Sequence, residues 1–133
     1  MNLEILKIAS NTKNFKDLKK YTHYSKIKNP LCGDEIQIKL IIKNNKIINF
    51  GYQGKSCIYC QASASILADK LISYETMKIK ELCNYANCYF NENQKILKKE
   101  WKFLGKLLNQ KNAARQKCIL LPFNALKKIV TKL

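Results

Sequence analysis

The stretch Asn29-Pro-Leu-Cys-Gly-Asp34 is followed at once by the alternating run Glu35-Ile-Gln-Ile-Lys-Leu-Ile-Ile42. Proline and glycine in the first stretch predict a turn, because neither residue favours a helix or a strand. In the second stretch apolar residues alternate with polar ones, with Ile41 the exception, which predicts a half-buried strand. A turn allows both of its polar side chains to point in the same direction. We therefore expect the Cys32 thiol and the Asp34 carboxylate to point at one place.

A hairpin is expected to follow from this strand. The dipeptide Asn44-Asn45 predicts a tight turn, because asparagine tolerates a positive φ. Residues Lys46–Tyr52 alternate in a similar way and predict the second strand. Its inward face is expected to carry three side chains: Ile48, Phe50 and Tyr52. The segment Tyr21–Lys28, before the turn, is expected to be a loop or an edge strand.

Helices are predicted over most of the remaining chain. Apolar residues at helical spacing indicate four helical segments: Ile58–Ser73, Lys78–Phe90, Gln94–Leu108 and a last helix entered through Arg115–Cys118. An apolar cluster near the N-terminus, from Leu3 to Ala9, is long enough for a short helix but too short to predict one. Pro122 is expected in the first turn of the regular part of that last helix, and Asn109–Ala114 is expected to be a polar break. Strands followed by helices predict an α+β fold, in which a small antiparallel sheet of about three strands carries helices on one face.

Length and composition limit the class of protein. A chain of 133 residues, 47% of them hydrophobic, fits a single domain, residues 1–133, whose core needs no disulfides. We find no apolar run long enough to span a membrane and no signal peptide. Six cysteines in such a chain predict reduced thiols that bind metal or carry sulfur in the cytoplasm.

The net charge of +16 indicates an anionic partner. Lysine supplies 24 of the 25 basic residues, and the charge is spread evenly, with +7 on residues 1–66 and +9 on residues 67–133. An even distribution lacks the clustered basic face that is typical of nucleic-acid-binding proteins. We therefore expect no specific nucleic-acid partner and favour an acidic protein partner, whose association the positive charge would accelerate.

Three cysteines and one aspartate form the candidate site. Cys32 and Asp34 lie in the turn before the hairpin, Cys57 lies just after the hairpin, and Cys118 lies at the start of the last helix. We expect these segments to meet at one end of the sheet. Three thiolates and a carboxylate are a ligand set suited to zinc or iron. The only histidine, His23, lies in a polar segment and is expected at the surface.

Three ordered motifs resemble the iron–sulfur cluster assembly scaffold family, which includes IscU, SufU and the N-terminal domain of NifU. The motifs are Asn-Pro-Leu-Cys32-Gly-Asp34, Cys57-Ile-Tyr-Cys-Gln-Ala-Ser-Ala-Ser65 and Arg115-Gln-Lys-Cys118. The resemblance covers the chain from around Tyr21 to the C-terminus. The gap of 61 residues between Cys57 and Cys118, and the lysine before Cys118 where IscU has histidine, are similar to the SufU branch.

The resemblance implies an IscU/SufU-like fold and four ligands: Cys32, Asp34, Cys57 and Cys118. It also implies that Cys118 accepts sulfur from a cysteine desulfurase similar to SufS, with Arg115 as the basic neighbour that supports its thiolate. The cofactor would be a transient iron–sulfur cluster, of the [2Fe–2S] type, or Zn²⁺. Apo iron–sulfur proteins or downstream carriers would receive the cluster.

Two residues depart from the family pattern. Ser56 stands where the family usually has a second glycine before the cysteine, and Cys60 stands where it usually has serine. The resulting Cys57-x-x-Cys60 spacing could serve as a redox pair, offer a spare ligand, or simply place a small residue in the interior. Cys83 and Cys88 lie outside the motifs and are expected in the core.

Three functions fit these residues. A scaffold would receive sulfide, assemble a cluster and pass it on, and the hard, weak Asp34 ligand would keep that cluster labile. A zinc-dependent sulfurtransferase of the SUF system would use the same residues to accept sulfur and would stimulate the desulfurase. A structural zinc site in a basic binding module would unfold without metal. We favour the scaffold; the enzymatic alternative is the sulfurtransferase.

Overall fold

A computed structural model describes residues 3–91 and 97–133. One antiparallel sheet contains three strands, in this order across the sheet: β1 (His23–Lys28), β2 (Glu35–Lys43) and β3 (Lys46–Gln53). Four α-helices accompany the sheet: α1 (Leu3–Ala9), α2 (Ile58–Lys70), α3 (Thr76–Tyr89) and α4 (Gln116–Val130). Helices α2 and α4 pack on the sheet, and α1 and α3 pack on those two helices. Within the described residues, no helix has both the length and the apolar character needed to cross a bilayer.

The sheet follows the predicted alternation. Ile36, Ile38 and Leu40 of β2 are completely buried, while the residues between them are only half-buried. At Asn44 and Asn45 the φ angles are 54° and 62°, so both turn residues adopt the left-handed conformation that a two-residue hairpin needs. The segment expected as a loop or edge strand forms β1, which lies at one edge of the sheet.

A bulge in β3 changes which of two neighbouring residues faces the core. The pairing between β2 and β3 skips Ile48, so β3 carries one extra residue there. Because side chains alternate along a strand, the extra residue turns Ile47 inward, where it is completely buried, and leaves Ile48 49% exposed. The inward position of Ile48 was therefore a wrong prediction. The inward positions of Phe50 and Tyr52 are confirmed.

Helix α4 is the centre of the molecule. It packs against α2, α3, β1 and β2, so it is buried on nearly its whole circumference and not along one stripe. The predicted apolar face is buried with the rest: Ile119, Phe123, Leu126 and Val130. Pro122 is the seventh residue of the helix, so its predicted place in the first turn was wrong. Since proline has no N–H, the helix lacks the hydrogen bond that would end on the carbonyl of Cys118.

The segment between α3 and α4 differs from its prediction. One α-helix was expected over Gln94–Leu108, but the structure has a 3₁₀ helix at Lys99–Leu104, interrupted at Trp101 (φ −107°, ψ 17°); residues 94–96 lie outside the described residues. A second 3₁₀ helix, Gln110–Arg115, stands where a polar break was expected. Trp101 is still buried as its spacing predicted, because apolar spacing reports burial more directly than the type of hydrogen bonding.

A close backbone contact joins the start of β2 to the loop before α2. The N–H of Glu35 donates to the carbonyl of Lys55 at 2.9 Å. A Cβ on Gly54 would collide with the carbonyl oxygen of Glu35, so only glycine fits this approach. The contact holds the turn that ends at Asp34 beside the segment that carries Cys57.

We expect Gly54→Ala to lower the free energy of unfolding by roughly 3–4 kcal/mol, because the added methyl group must displace backbone. Gly33→Ala is the matched control. Gly33 has a positive φ of 78°, but nothing lies near its Cβ position, so backbone strain alone should cost about 1 kcal/mol. Urea unfolding of both variants measures the difference. Equal losses of unfolding free energy in the two variants would show that Gly54 is not needed for the close approach of the backbone to Glu35.

Candidate metal centre

Asn29 holds the turn that carries Cys32. Its Oδ1 accepts a hydrogen bond from the N–H of Leu31 at 3.0 Å, and its carbonyl accepts from the N–H of Gly33 at 2.8 Å. Its own N–H donates to the carbonyl of Asp34 at 2.7 Å. These three hydrogen bonds close the turn, and Gly33 supplies the positive φ of 78° that it requires.

The turn brings three of the predicted ligands together. The Cys32 sulfur, a carboxylate oxygen of Asp34 and the Cys118 sulfur all lie within 4.8 Å of one another. Cys32 is exposed, whereas Asp34 is 8% and Cys118 is 9% exposed. Cys118 reaches this point because α4 begins at Gln116, at the same end of the sheet. The cluster of ligand atoms is thus open on the Cys32 side and closed on the α4 side.

Cys57 adjoins these residues from the start of α2. It is the N-cap residue, with φ −70° and ψ 168°, and its N–H donates to Asp34 Oδ1 at 3.2 Å. Its thiol neighbours the thiol of Cys118, but it falls outside the set of atoms that all lie within 4.8 Å. The structure therefore brings all four side chains to one end of the sheet, three of them with ligand atoms within 4.8 Å of one another and Cys57 beside them.

The Asp34 carboxylate indicates that this cluster suits a cation. Its buried Oδ2 meets no hydrogen-bond donor among residues 3–91 and 97–133. A buried carboxylate oxygen without a donor is costly unless a cation faces it. The neighbouring thiols supply the sulfur ligands that zinc and iron accept. The donor set of Cys32, Asp34, Cys57 and Cys118 therefore fits a zinc or iron ion.

Burial raises the pKa of the Cys118 thiol, and the neighbouring Cys57 thiol and Asp34 carboxylate raise it further. In the metal-free protein the Cys118 sulfur therefore keeps its proton. A metal ion reverses this preference, because a coordinating thiol loses its proton. Cys118 is thus a weak nucleophile without metal and is suited to become a ligand when metal binds.

Comparison with known proteins identifies the family. The model of the NifU-like N terminal domain matches residues 2–87, which is more than half of the chain. The chain belongs to the NifU-like N terminal domain family. Among its relatives, the iron–sulfur cluster assembly scaffold protein IscU of Thermotoga maritima is 29% identical over 113 residues, 80% of this chain and 75% of that protein. An uncharacterized protein of Borreliella burgdorferi is 33% identical over 128 residues, 96% of this chain and 79% of that protein.

Solved structures share the fold of this NifU-like chain. The N-terminal part of a NifU-like protein from Brucella abortus gives a TM-score of 0.87 at 20% identity, covering 98% of this chain and 92% of that one. The SufU scaffold protein for the SUF system from Fervidobacterium islandicum gives 0.84 at 21% identity, covering 98% and 96%. At such identities the likeness establishes the fold alone. The predicted scaffold family and its α+β, IscU/SufU-like fold are confirmed.

The two departures from the family pattern meet in space. Cys60 is completely buried in the first turn of α2, and the Ser56 hydroxyl is a hydrogen-bond partner of its thiol. The same hydroxyl accepts a hydrogen bond from Gln61 Nε2 at 2.9 Å. Burial raises the pKa of Cys60 to about 12, Ser56 opposes that rise, and Asp34 with the nearby thiols adds to it. Cys60 is therefore a protonated thiol at neutral pH.

Arg115 lies over an aromatic ring. Its guanidinium carbon is 5.5 Å from the centre of the Tyr59 ring, which is the geometry of a cation–π contact. Tyr59 lies two residues after Cys57, so this contact ties the end of the second 3₁₀ helix to the first turn of α2. Sequence reasoning did not single out Tyr59, because one tyrosine among seven carries no positional signal. The support of the Cys118 thiolate by Arg115 stays a prediction.

The other cysteines and the histidine lie outside this cluster of ligand atoms. Cys83 is completely buried in α3, as predicted, and burial raises its pKa to about 12. Cys88 is exposed, so its predicted place in the core was wrong. Five residues span more than one helical turn, which rotates Cys88 away from the side that Cys83 buries. His23 is partly exposed in β1, with Nδ1 2.8 Å from Thr22 Oγ1.

A buried hydrogen bond links the helices that carry Cys57 and Cys118. The Ser63 hydroxyl, completely buried in the middle of α2, donates to the carbonyl of Ile119 at 2.7 Å. Ile119 follows Cys118 directly, and Cys57 caps the helix that contains Ser63. Ser63 therefore sets the position of one predicted ligand relative to another.

We expect Ser63→Ala to weaken zinc binding by roughly tenfold, as the loss of groups that orient ligands does, and to cost about 1 kcal/mol of stability. Ser65→Ala is the matched control, because the Ser65 hydroxyl donates to the carbonyl of Asn11 at 2.8 Å and not to α4. It should cost similar stability and leave zinc affinity unchanged. Competition with a chromogenic chelator measures the affinity. The same affinity in both variants would refute the positioning role of Ser63.

Proposed function

We propose that this chain is an iron–sulfur cluster assembly scaffold that receives sulfur, assembles a transient [2Fe–2S] cluster and passes it to apo-proteins. The observation that supports this most is the convergence of thiols and one carboxylate in a chain of the NifU-like N terminal domain family. The IscU of Thermotoga maritima, to which the chain is similar, is an iron–sulfur cluster assembly scaffold protein.

In this proposal Cys32, Cys57 and Cys118 hold the cargo through sulfur, and Asp34 completes the set. Thiolates are the usual protein ligands of iron–sulfur clusters, whereas a carboxylate is a harder and weaker ligand for such a cluster. The Oδ2 atom of Asp34 is suited to this role because it is buried beside two thiols and has no donor in the described part of the chain. One weak ligand favours release, which a scaffold requires.

The exposure of the thiols bears on where sulfur enters. A thiolate that accepts sulfur must reach the outer sulfur of the desulfurase persulfide. Cys118, the acceptor implied by the family resemblance, is 9% exposed, whereas Cys32 is exposed. We therefore propose that sulfur arrives at Cys32. It then reaches Cys118 by a second exchange, since the two sulfurs lie within 4.8 Å.

Charge and redox state support the partners and the location that we propose. The net charge of +16 favours partners with acidic surfaces, because opposite charges accelerate association. These partners are a cysteine desulfurase of the SufS type and apo iron–sulfur proteins or downstream carriers. All six cysteines are free thiols, which fits a reducing compartment such as the cytoplasm.

Anaerobic reconstitution tests the scaffold against the zinc-dependent sulfurtransferase, which would use the same four residues. The chain is incubated with ferrous iron, cysteine and a cysteine desulfurase, and visible absorption and activation of an apo-ferredoxin are followed. We expect a cluster that forms on the chain and transfers to the ferredoxin. Zinc that stays bound throughout, with stimulation of the desulfurase and no transfer, would contradict the scaffold and support the sulfurtransferase.

The same mixture without iron tests the entry of sulfur. Peptide mass spectrometry locates the persulfide in Cys32→Ser and in Cys118→Ser. Entry at Cys32 means that Cys32→Ser carries no persulfide on Cys118, while Cys118→Ser still carries one on Cys32. The reverse pattern would make Cys118 the first acceptor, as the family resemblance implies.

Removal of the weak ligand should stabilise the cluster. We expect Asp34→Ala to lengthen the half-life of the bound cluster in air several-fold, because sulfur ligands alone then hold it. Asp34→Asn is the matched control, since its amide oxygen can still accept the N–H of Cys57 while the carboxylate is lost. If ligation by Asp34 is what makes the cluster labile, both variants should lengthen the half-life of the cluster. Decay of the visible absorption measures it, and an unchanged half-life in both variants would exclude Asp34 as a ligand.

A further inference from the structure

Cys57 and Cys60 occupy positions in α2 from which two thiols can meet. Cys57 is the N-cap residue, and Cys60 is the third residue of the helix. Residues three apart are neighbours on one side of a helical turn. The Cys57 side chain makes no capping hydrogen bond to the backbone of the helix.

The two thiols differ in exposure. Cys57 is partly exposed, and Cys60 is completely buried. The Ser56 hydroxyl contacts the Cys60 thiol, and Gln61 donates to that hydroxyl, so residues of the same turn hold the buried sulfur in place. A reachable first thiol and a buried second thiol at a helix N-terminus are the parts of a Cys-x-x-Cys site for thiol exchange.

We propose that Cys60 is a resolving thiol, which releases sulfide from a persulfide on Cys57. This inference rests on the proposed function, because it uses the sulfur that a desulfurase delivers and that a further exchange passes from Cys118 to the neighbouring Cys57 thiol. Persulfide sulfur arrives at the oxidation level of elemental sulfur, whereas a cluster contains sulfide. Two electrons must therefore be added to each sulfur atom, and a dithiol can supply them.

The step balances within the pair. The Cys60 sulfur attacks the inner sulfur of the Cys57 persulfide, the bond to the outer sulfur breaks, and a disulfide forms between Cys57 and Cys60. The outer sulfur keeps the electron pair of the broken bond, takes up the proton of the buried Cys60 thiol and leaves as hydrogen sulfide. The two cysteines are oxidised and the outer sulfur is reduced. A dithiol reductant then restores both thiols.

The test loads the full chain, reduced and free of metal, with cysteine persulfide under argon. Released sulfide is measured, free thiols are blocked, and the chain is digested with trypsin. Cleavage after lysine leaves the pair on one peptide, residues 56–70, and leaves Cys32 and Cys118 on others, residues 29–39 and 118–127. An internal disulfide lowers the mass of peptide 56–70 by two hydrogen atoms, and a retained persulfide raises it by one sulfur atom.

We expect the wild-type chain to release sulfide and to give the internal disulfide. Cys60→Ser has the residue usual in the family and a similar size. It should release sulfide at least about tenfold more slowly, because it loses an intramolecular thiol with an effective concentration on the order of millimolar. It should also keep the extra sulfur on peptide 56–70. Cys88→Ser, at an exposed cysteine outside the site, should match the wild type.

Three results would overturn the proposal: equal release by Cys60→Ser, a disulfide from peptide 56–70 to another peptide, or extra sulfur found only outside peptide 56–70. Reconstitution with ferrous iron and inorganic sulfide separates this from the proposed function, because it needs no persulfide. If the wild type forms no cluster in this reconstitution, the scaffold function is contradicted. The sulfide assay still decides the role of Cys60 in that case. Failure in Cys60→Ser alone would mean that serine damages the site, and Cys60→Ala then replaces it in both assays.

Discussion

The buried carboxylate of Asp34 is the constraint around which the site is arranged. The N–H of Cys57 satisfies one of its oxygens, and the other has no donor in the part of the chain that the structure describes. Such an oxygen favours a cation, because an isolated buried charge is strongly destabilising. The same carboxylate disfavours a thiolate on Cys118 as long as no cation is present. Metal binding therefore gives the buried Asp34 oxygen a partner and allows the Cys118 thiol to lose its proton.

The topology of the chain explains why these groups meet. The turn before β2, the loop after β3 and the first turn of α4 all lie at one end of the sheet. Backbone contacts fix each segment: Asn29 closes the turn, Gly54 allows the loop to approach β2, and Ser63 ties α2 to α4. Because α4 packs against most of the molecule, it also connects Cys118 to the core. These three segments thus surround the site, which is open to solvent at Cys32.

The sequence predicts the elements whose signal is local. Alternation and the Asn44-Asn45 turn predicted the hairpin, and the flanking motifs indicated which cysteines belong together. The bulge at Ile48 was missed because both Ile47 and Ile48 are apolar, so alternation does not tell which one faces inward. The 3₁₀ segment around Trp101 was missed because apolar spacing reports burial and not hydrogen-bond type. The interior position of Pro122 depends on where α4 begins, which local residues do not determine.

Contacts between distant side chains could not be predicted. Nothing in the sequence places Arg115 on Tyr59, and only the fold brings Ser63 to the carbonyl of Ile119. The meeting of Ser56 with Cys60 is of a different kind, because both residues lie in or next to the first turn of α2. They are also the two departures from the family pattern. Because Ser56 and Cys60 are in contact, the two departures from the family pattern form one local feature next to the predicted metal ligands.

X-ray absorption at the zinc edge of the zinc-loaded chain tests the central claim most directly, because it counts the atoms bound to the metal. The four residues at the end of the sheet predict three sulfur neighbours at about 2.3 Å and one oxygen neighbour at about 2.0 Å. Asp34→Ala should remove that oxygen or replace it by water and leave the three sulfurs. Four sulfur neighbours in the wild type would mean that Cys60 takes the place of Asp34. Fewer than three would mean that Cys32, Cys57 and Cys118 do not act together, and either result would contradict the account.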